Sequence, residues 1–433
     1  MENRHDPAAI LQKLISYNTT NPPGNERECI LYIAELLRRS GIESTLLALD
    51  ANRPNLIARI RGSGKAPPLL LYGHVDVVPT DGQSWNVPPF SGEIYDDCVW
   101  GRGALDMKGG VAMMLSAFLE AKSREEELPR DLVLAIVSDE EAGGKYGSKF
   151  LVENHAEQFA GIRHAIGEFG GFSFYVGKRK FYPIMVAEKR LCWLQTTIKG
   201  SGGRGSQAQN KSAVAMLGDI IRRLRPLRFP AHITPAVRTM IEAMSYAMPP
   251  PQKRLFRQLL HSGWTSTILK LLGDKGSTLA ALFYNTANIT VIQGGLAVNA
   301  IPEQIELKID GRLLPGFEPA DLMKELNKVI GYELEYEVLL HDPFPDAVNL
   351  ELFPTLAAIL REQDPQGVPI PYVLTGSTDS RFYAGLGIQT YGFLPMDLPK
   401  SFAFTEFIHA ANERIPVRAL QSGAQAISRL LFR

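Results

Sequence analysis

The chain has 433 residues, with 46 Lys and Arg balancing 46 Asp and Glu, so its formal net charge is zero. Its 45% hydrophobic and 21% charged content is that of a globular protein with room for two or three domains. Neutrality excludes a globally basic nucleic-acid binder or membrane-surface protein, and three widely spaced cysteines exclude a disulfide scaffold, a zinc ribbon and a C-x-x-C redox site.

In chain order, Met1–Asp6 leads into an amphipathic pattern with no signal-peptide apolar region. Apolar residues at helical spacing predict a helix over Ile30–Leu37, closed by Ser40-Gly41. Leu69–Tyr72 and Leu132–Val137 are short apolar runs suited to buried parallel strands, and Gly109–Lys122 between them reads as a helix. The apolar part of that helix is shorter than the ~18–20 residues a membrane span needs. A reducing, cytoplasmic setting without membrane or nucleic-acid partners is the expectation.

From about residue 190 the pattern changes. Leu191–Lys199 reads as a strand and Ala213–Leu224 as a helix. After helical material near 236–282 come strands at Asn288–Gln293 and Ala300–Leu313, a helix at Pro319–Ile330 and a strand at Tyr332–Leu340. That order predicts a small α+β (ferredoxin-like) sandwich at 190–340 inserted in an α/β domain made of 1–189 and 341–433. The chain closes with an amphipathic helix over Val417–Leu431.

Three segments place polar residues where apolar strands end. They are Gly73-His74-Val-Asp76, the loop Gly101-Arg-Gly-Ala-Leu-Asp106-Met-Lys-Gly-Gly110, and Asp139-Glu140-Glu141 after Val137. A His and an Asp two apart on a strand project to the same side. Ligands of open α/β sheets bind outside the carboxyl ends of the strands. Crowded carboxylates repel unless protonated or neutralised by a cation, and His with Asp or Glu suits zinc. Two ions about 3.5–4 Å apart need a bridging carboxylate. Glu168, after the strand-like Ile162–Ile166, and His409 in Phe407–Glu413 would complete such a set.

This ordered set resembles the zinc-dependent exopeptidase and deacylase family of aminoacylase, acetylornithine deacetylase, succinyl-diaminopimelate desuccinylase, carnosinase and glutamate carboxypeptidase. The resemblance implies a mixed-sheet catalytic domain with residues 190–340 as a lid and dimerisation domain. It implies two divalent ions, zinc or else cobalt or manganese. His74 would ligate one ion with Asp76 orienting its ring, Asp106 would bridge both, and Glu140 would be the general base. Glu168 would share the ion of His74, while Glu141 and His409 would hold the other. By the same resemblance Asn299 and Arg312 reach the substrate, and the loop with Gly376, Ser377 and Thr378 cradles its carboxylate. The implied activity is cleavage of the amide bond of small N-acyl amino acids or dipeptide-like molecules with a free carboxylate, by a homodimer.

Two positions depart from the family pattern. Arg204 stands where a lid histidine is usual, and Phe169 follows Glu168 where glycine is common. Arg204 also supports a rival expectation, a family member that has lost activity and acts as a small-molecule binding or regulatory protein. No G-x-S-x-G elbow exists, Gly62-Ser-Gly-Lys65 lacks the spacing of a P-loop, and Gly101-Arg-Gly103 lacks the third glycine of a dinucleotide loop.

The zero total also hides an asymmetry. Residues 190–340 carry 18 Lys and Arg against 12 Asp and Glu, and the remainder 28 against 34. Eight of those basic residues lie between Arg222 and Arg257 with only Glu242 opposing them. Such a run is either a solvated face or a field that draws anions.

Overall fold

In the computed structural model, which describes residues 5–207, 209–224, 229–342 and 348–433, the two apolar runs are strands Leu69–His74 and Leu132–Val137, buried at every position. Burial on both faces is what a central parallel strand requires of its sequence. They pair in parallel with His74 opposite Val137, so both chains leave the sheet at the same edge. His164–Gly167 adds to Leu69–His74 in parallel, and Glu168 follows it out at that edge. This register is what delivers His74, the acids after Val137 and Glu168 to one place.

Among the described residues the sheet runs Ser44–Leu47, Asn55–Ile60, Leu132–Val137, Leu69–His74, His164–Gly167, Gln389–Gly392, Arg179–Glu188 and Val368–Leu374, with Phe174–Val176 paired to Arg179–Glu188. Asn55–Ile60 is antiparallel to its inner neighbour, which makes the sheet mixed. Helix Lys108–Ser123 is buried nearly all round, as an apolar helix without a polar stripe must be. Pro7–Ile15 and Val417–Leu431 pack against it. No helix among the described residues is long and apolar enough to cross a membrane.

The chain divides into two compact units. One comprises residues to Val186, Asn349–Tyr372 and Thr378–Arg433, and the other Ala187–Val348 with Val373–Ser377. In the second, Thr286–Gln293, Gln304–Leu313, Arg190–Lys199 and Tyr336–His341 form an antiparallel sheet in that order. Gln304–Leu313 alternates buried and partly exposed side chains, the two-residue period of a sheet covered on one face. Leu194, Ile198, Leu307 and Ile309 meet Ile220, Leu322 and Leu326 from helices Ala213–Arg223 and Pro319–Ile330. Ser212 caps the first helix, and Glu318 with Asp321 forms a capping box on the second.

Two strand expectations need correction here. The run Ala300–Leu313 is not one strand: Pro302 has no amide to donate, and the chain splits into Ala300–Ile301 and Gln304–Leu313. The following strand begins at Tyr336, after Gly331 ends the helix at a φ of +76°. The helical stretch consists of Pro235–Tyr246, Pro250–Gln258, Ser262–Leu271 and Asp274–Ala280. Of the basic run, Arg225 and Arg228 lie outside the described residues, and Arg222, Arg238, Arg254 and Arg257 are exposed.

Lys189 is buried in this unit, and its ammonium donates to the Tyr284 carbonyl at 2.9 Å and to Thr286 Oγ1 at 3.2 Å. Burial first, and then the charge of Arg312, brings its pKa down from 10.5 to about 7. Between those values the unfolded chain holds a proton that the folded chain lacks. Stability therefore rises with pH across that window, by at most about 1.4 kcal/mol per pH unit from this group, and the contribution is flat below it. Urea denaturation of the full chain from pH 7 to 9.5 should show that slope, and Lys189→Met should flatten it. An unaltered slope in the variant would assign the titration to another group.

Candidate metal centre

His74 is the last residue of its strand, and Asp76 lies beyond the strand end instead of on it. The two still meet. His74 Nδ1 is 3.0 Å from the Asp76 carbonyl oxygen and 3.4 Å from Asp76 Oδ1, which leaves Nε2 pointing the other way. Nε2 is buried without a hydrogen-bond partner, 3.4 Å from Asp106 Oδ1 and 3.6 Å from Glu168 Oε2. The second oxygen of Asp106, Oδ2, is 3.2 Å from His409 Nε2, which is itself 3.2 Å from Glu141 Oε1. Two triads of metal-type donors result, His74–Asp106–Glu168 and Asp106–Glu141–His409, and Asp106 belongs to both. An orphaned imidazole nitrogen facing two carboxylate oxygens fits a bound cation, and the N/O donor set suits zinc, cobalt or manganese.

The loop carrying Asp106 is shaped by glycine. Gly101 holds a φ of +152°, and a Cβ there would sit 2.5 Å from Ile15 Cγ2 and 2.9 Å from the Pro89 carbonyl oxygen. The following loop separates three acids that are adjacent in sequence. Asp139, at a φ of +70°, turns away and accepts from Arg53 Nη1 at 2.9 Å, Asn21 Nδ2 at 3.1 Å and the Tyr146 amide at 3.0 Å. Glu140 and Glu141 begin a short 3₁₀ turn, and their amides donate to the two oxygens of Asp76 at 3.1 Å each. Asn21 Nδ2 also donates to Asp76, and Glu26 grips Arg53 from the far side. Asn21, Glu26 and Arg53 are thus supports that sequence reading missed. For Asn21 and Glu26 the one local signal is the turn-forming run Asn21-Pro-Pro-Gly-Asn-Glu26, which marks a loop without marking a site.

Burial and mutual repulsion set the electrostatics. Burial, followed by the charge of Glu168, pushes the Glu140 carboxyl well above the carboxylate range. Burial likewise pushes Glu168 up to about 8. Burial also opposes ionisation of Asp106, yet His409 and His74 hold it below its ordinary value. His409 is raised to about 10 by Asp106 and Glu141. Asp379, buried close by and also missed in the sequence, is pushed up to about 6 by burial and adds to the repulsion on Glu140. An apolar wall of Leu105, Phe169, Phe172, Leu394, Met396, Phe404 and Ile408 borders Asp106 and Glu168, with Phe172 and Phe404 stacked at 4.0 Å. Phe169 stands at a φ of +59°, in the region glycine enters most easily, which is a physical reason for glycine to be common there.

The remaining expected site residues are spread over both units. Thr378 belongs to the same unit as the triads, where it is buried and its Oγ1 accepts from the Ser380 amide at 3.1 Å. Gly376 and Ser377 group with the second unit. There Arg204 pairs with Ala300 in a two-residue ladder, and the Gly205 amide donates to the Asn299 carbonyl at 2.9 Å, so Arg204 and Asn299 are neighbours and both exposed. Arg312 makes a forked pair with Asp310, 2.8 Å from Nε to Oδ1 and 3.1 Å from Nη2 to Oδ2.

The family model described as Peptidase family M20/M25/M40 matches residues 70–433. The N-fatty-acyl-amino acid synthase/hydrolase PM20D1 of Bos taurus is 28% identical over 382 residues, covering 84% of this chain and 73% of the relative. A metallo-carboxypeptidase, Sso-CP2 of Sulfolobus solfataricus, shares the fold at a TM-score of 0.67 and 20% identity, over 100% of this chain and 99% of that one. The YXEP protein of Bacillus subtilis, described as a dinuclear metal binding peptidase, superposes at a TM-score of 0.61 with 16% identity, over 100% and 98% of the two chains. At these identities the solved structures speak for the fold alone.

Proposed function

The chain belongs to peptidase family M20/M25/M40, a family of metal-dependent hydrolases, and we propose that it cleaves the amide bond of N-acyl amino acids or dipeptide-like substrates with a free carboxylate at a two-metal centre. The observation that carries this reading is Asp106, whose two oxygens face two different imidazoles. His74, Glu168 and Asp106 would hold one ion, and Glu141, His409 and Asp106 the other. Bound divalent ions would polarise the scissile carbonyl and acidify water.

The chain's own groups do the rest. Glu140 stands outside both triads with its Oε2 3.9 Å from His74 Nε2. A carboxyl whose pKa is raised by burial is suited to take a proton from the attacking water and deliver it to the leaving nitrogen. Asp76 fixes the His74 ring so that Nε2 is the ligating atom. The apolar side chains packed beside Asp106 and Glu168 leave room for no more than a water-sized molecule there, and the N-acyl class of the substrate rests on the bovine relative's name, N-fatty-acyl-amino acid synthase/hydrolase. We assign recognition of the free carboxylate to Arg312, with Asn299, Arg204 and the Gly376–Thr378 loop as further contacts. Zinc is the ion we assign, on the strength of the donor set. Residues 190–340 are assigned the homodimer interface. A cytoplasmic setting accords with three cysteines that remain free thiols.

Purified protein should release free amino acid from a panel of short- and long-chain N-acyl amino acids and dipeptides. A chelator should stop that release, added metal should restore it, and amidation of the substrate carboxylate should reduce it. Saturable binding of these compounds with no turnover under any metal would instead establish the binding-protein alternative that Arg204 suggested.

A further inference from the structure

The two triads share Asp106, yet His409 comes from a loop about 300 positions further along the chain. That loop turns through the left-handed region at His409 and Asn412, whose φ values are +60° and +62°, a conformation that costs most L-residues and Asn and His less. Something must hold it. Gln83, partly exposed, donates from Nε2 to the His409 carbonyl at 2.9 Å and accepts at Oε1 from Arg102 Nη2 at 2.7 Å. Arg102, 1% exposed, donates from Nη1 to the Ala410 carbonyl at 3.1 Å and to Glu413 Oε2 at 2.7 Å. Glu413 in turn accepts from the amides of Gly103, Leu105 and Asp106 at 3.1, 2.7 and 3.1 Å. One continuous chain of hydrogen bonds therefore runs from the backbone of His409 to the backbone of Asp106. No comparable bond from Gln83 or Arg102 reaches His74 or Glu168 among the described residues.

We propose that Gln83 is a positioning residue that clamps the His409 loop onto the Asp106 loop through Arg102 and Glu413, and so sets the affinity of the Asp106–Glu141–His409 half of the centre independently of the other half. This rests on the two-ion reading above. Gln83 touches neither the donor atoms nor Glu140, so its effect is on how well the half-site is preformed. Outer contacts of this kind are typically worth about 10- to 100-fold in metal affinity.

The test is a titration of metal-stripped full-length protein with zinc or cobalt, by calorimetry and equilibrium dialysis, for the parent, Gln83→Ala and Gln83→Glu. Glutamate can still pair with Arg102 but has no proton to give the His409 carbonyl, so it separates the two bonds. The expected result is two ions in the parent, with one binding step weakened about 10-fold or more in both variants and the other step unmoved. Gln83→Ala also strips a partner from buried Arg102 and should lower the metal-free melting temperature, so the readout is the split between the two binding steps and not stability. Combination with His409→Ala should add nothing to the weakened step, whereas combination with Glu168→Ala should be additive. Two ions bound at parental affinity in both variants would overturn the clamp and leave the two-ion reading standing. Equal weakening of both steps would also overturn it. A parent that binds a single ion would overturn the two-ion reading, and the clamp with it.

Discussion

Glu140→Gln should leave the protein folded and fully loaded with metal, yet reduce kcat by about 10²- to 10⁴-fold, the range expected for loss of general-base catalysis. The substitution is close to isosteric, and the backbone at this position is held independently, by the Glu140 amide on Asp76 Oδ1. The side chain belongs to neither donor triad, so metal content should not fall. What changes is proton capacity. Burial and the neighbouring charge of Glu168 favour a protonatable Glu140, whereas an amide neither takes nor returns a proton at that place. Steady-state kinetics alongside elemental analysis of the same sample would decide it. Metal loss in proportion to lost activity would recast Glu140 as a ligand, and retained turnover would move the general base elsewhere.

Asp106→Asn should have the larger effect on metal. Each of the other candidate ligands belongs to one triad, but Asp106 has an oxygen in each. An asparagine keeps the shape and a single carbonyl oxygen, and it places an NH₂ group against one of the two ions. Both occupancies should therefore drop together, and activity should fall to background. His409→Ala, by contrast, should empty one half only. Binding linkage supplies a second measure: excess metal at about 100 times Kd stabilises the folded chain by about 2.7 kcal/mol per site. That gain in melting temperature should be present in the parent, reduced in His409→Ala and absent in Asp106→Asn. If Asp106→Asn retained one tightly bound ion, Asp106 would serve one site and the bridge would be wrong.

Much of the site was legible along the chain because its elements are local. A strand buried on both faces must be an uninterrupted apolar run, so Leu69–Leu71 and Leu132–Val137 announce themselves, and polar residues after them mark the sheet's carboxyl edge. Helix Val417–Leu431 follows from its amphipathic spacing, whereas Lys108–Ser123, apolar nearly all round, is marked by its length. Where a single residue breaks the pattern the reading slipped, as at Pro302 inside the run Ala300–Leu313. Asp76 was expected on the strand with His74, but it sits beyond it and reaches the ring because the chain curls there.

Other features have no local signature. Asp139, Glu140 and Glu141 are alike as a string of acids, and only the left-handed backbone at Asp139 sends it to Arg53 and Asn21 while its neighbours turn the other way. Gln83, Arg102 and Glu413 are unremarkable polar residues in sequence, because a hydrogen bond between positions 83 and 409 depends on how two distant loops close. Chain order alone carries the residue types, the strand ends that bear them, and the offsetting charges of an acidic part and a more basic insert. Tertiary structure alone decided which oxygen faces which imidazole and what holds the His409 loop. Periodicity is set by bonds between near neighbours, and the coordination geometry by contacts that exist only once the sheet and its loops have closed.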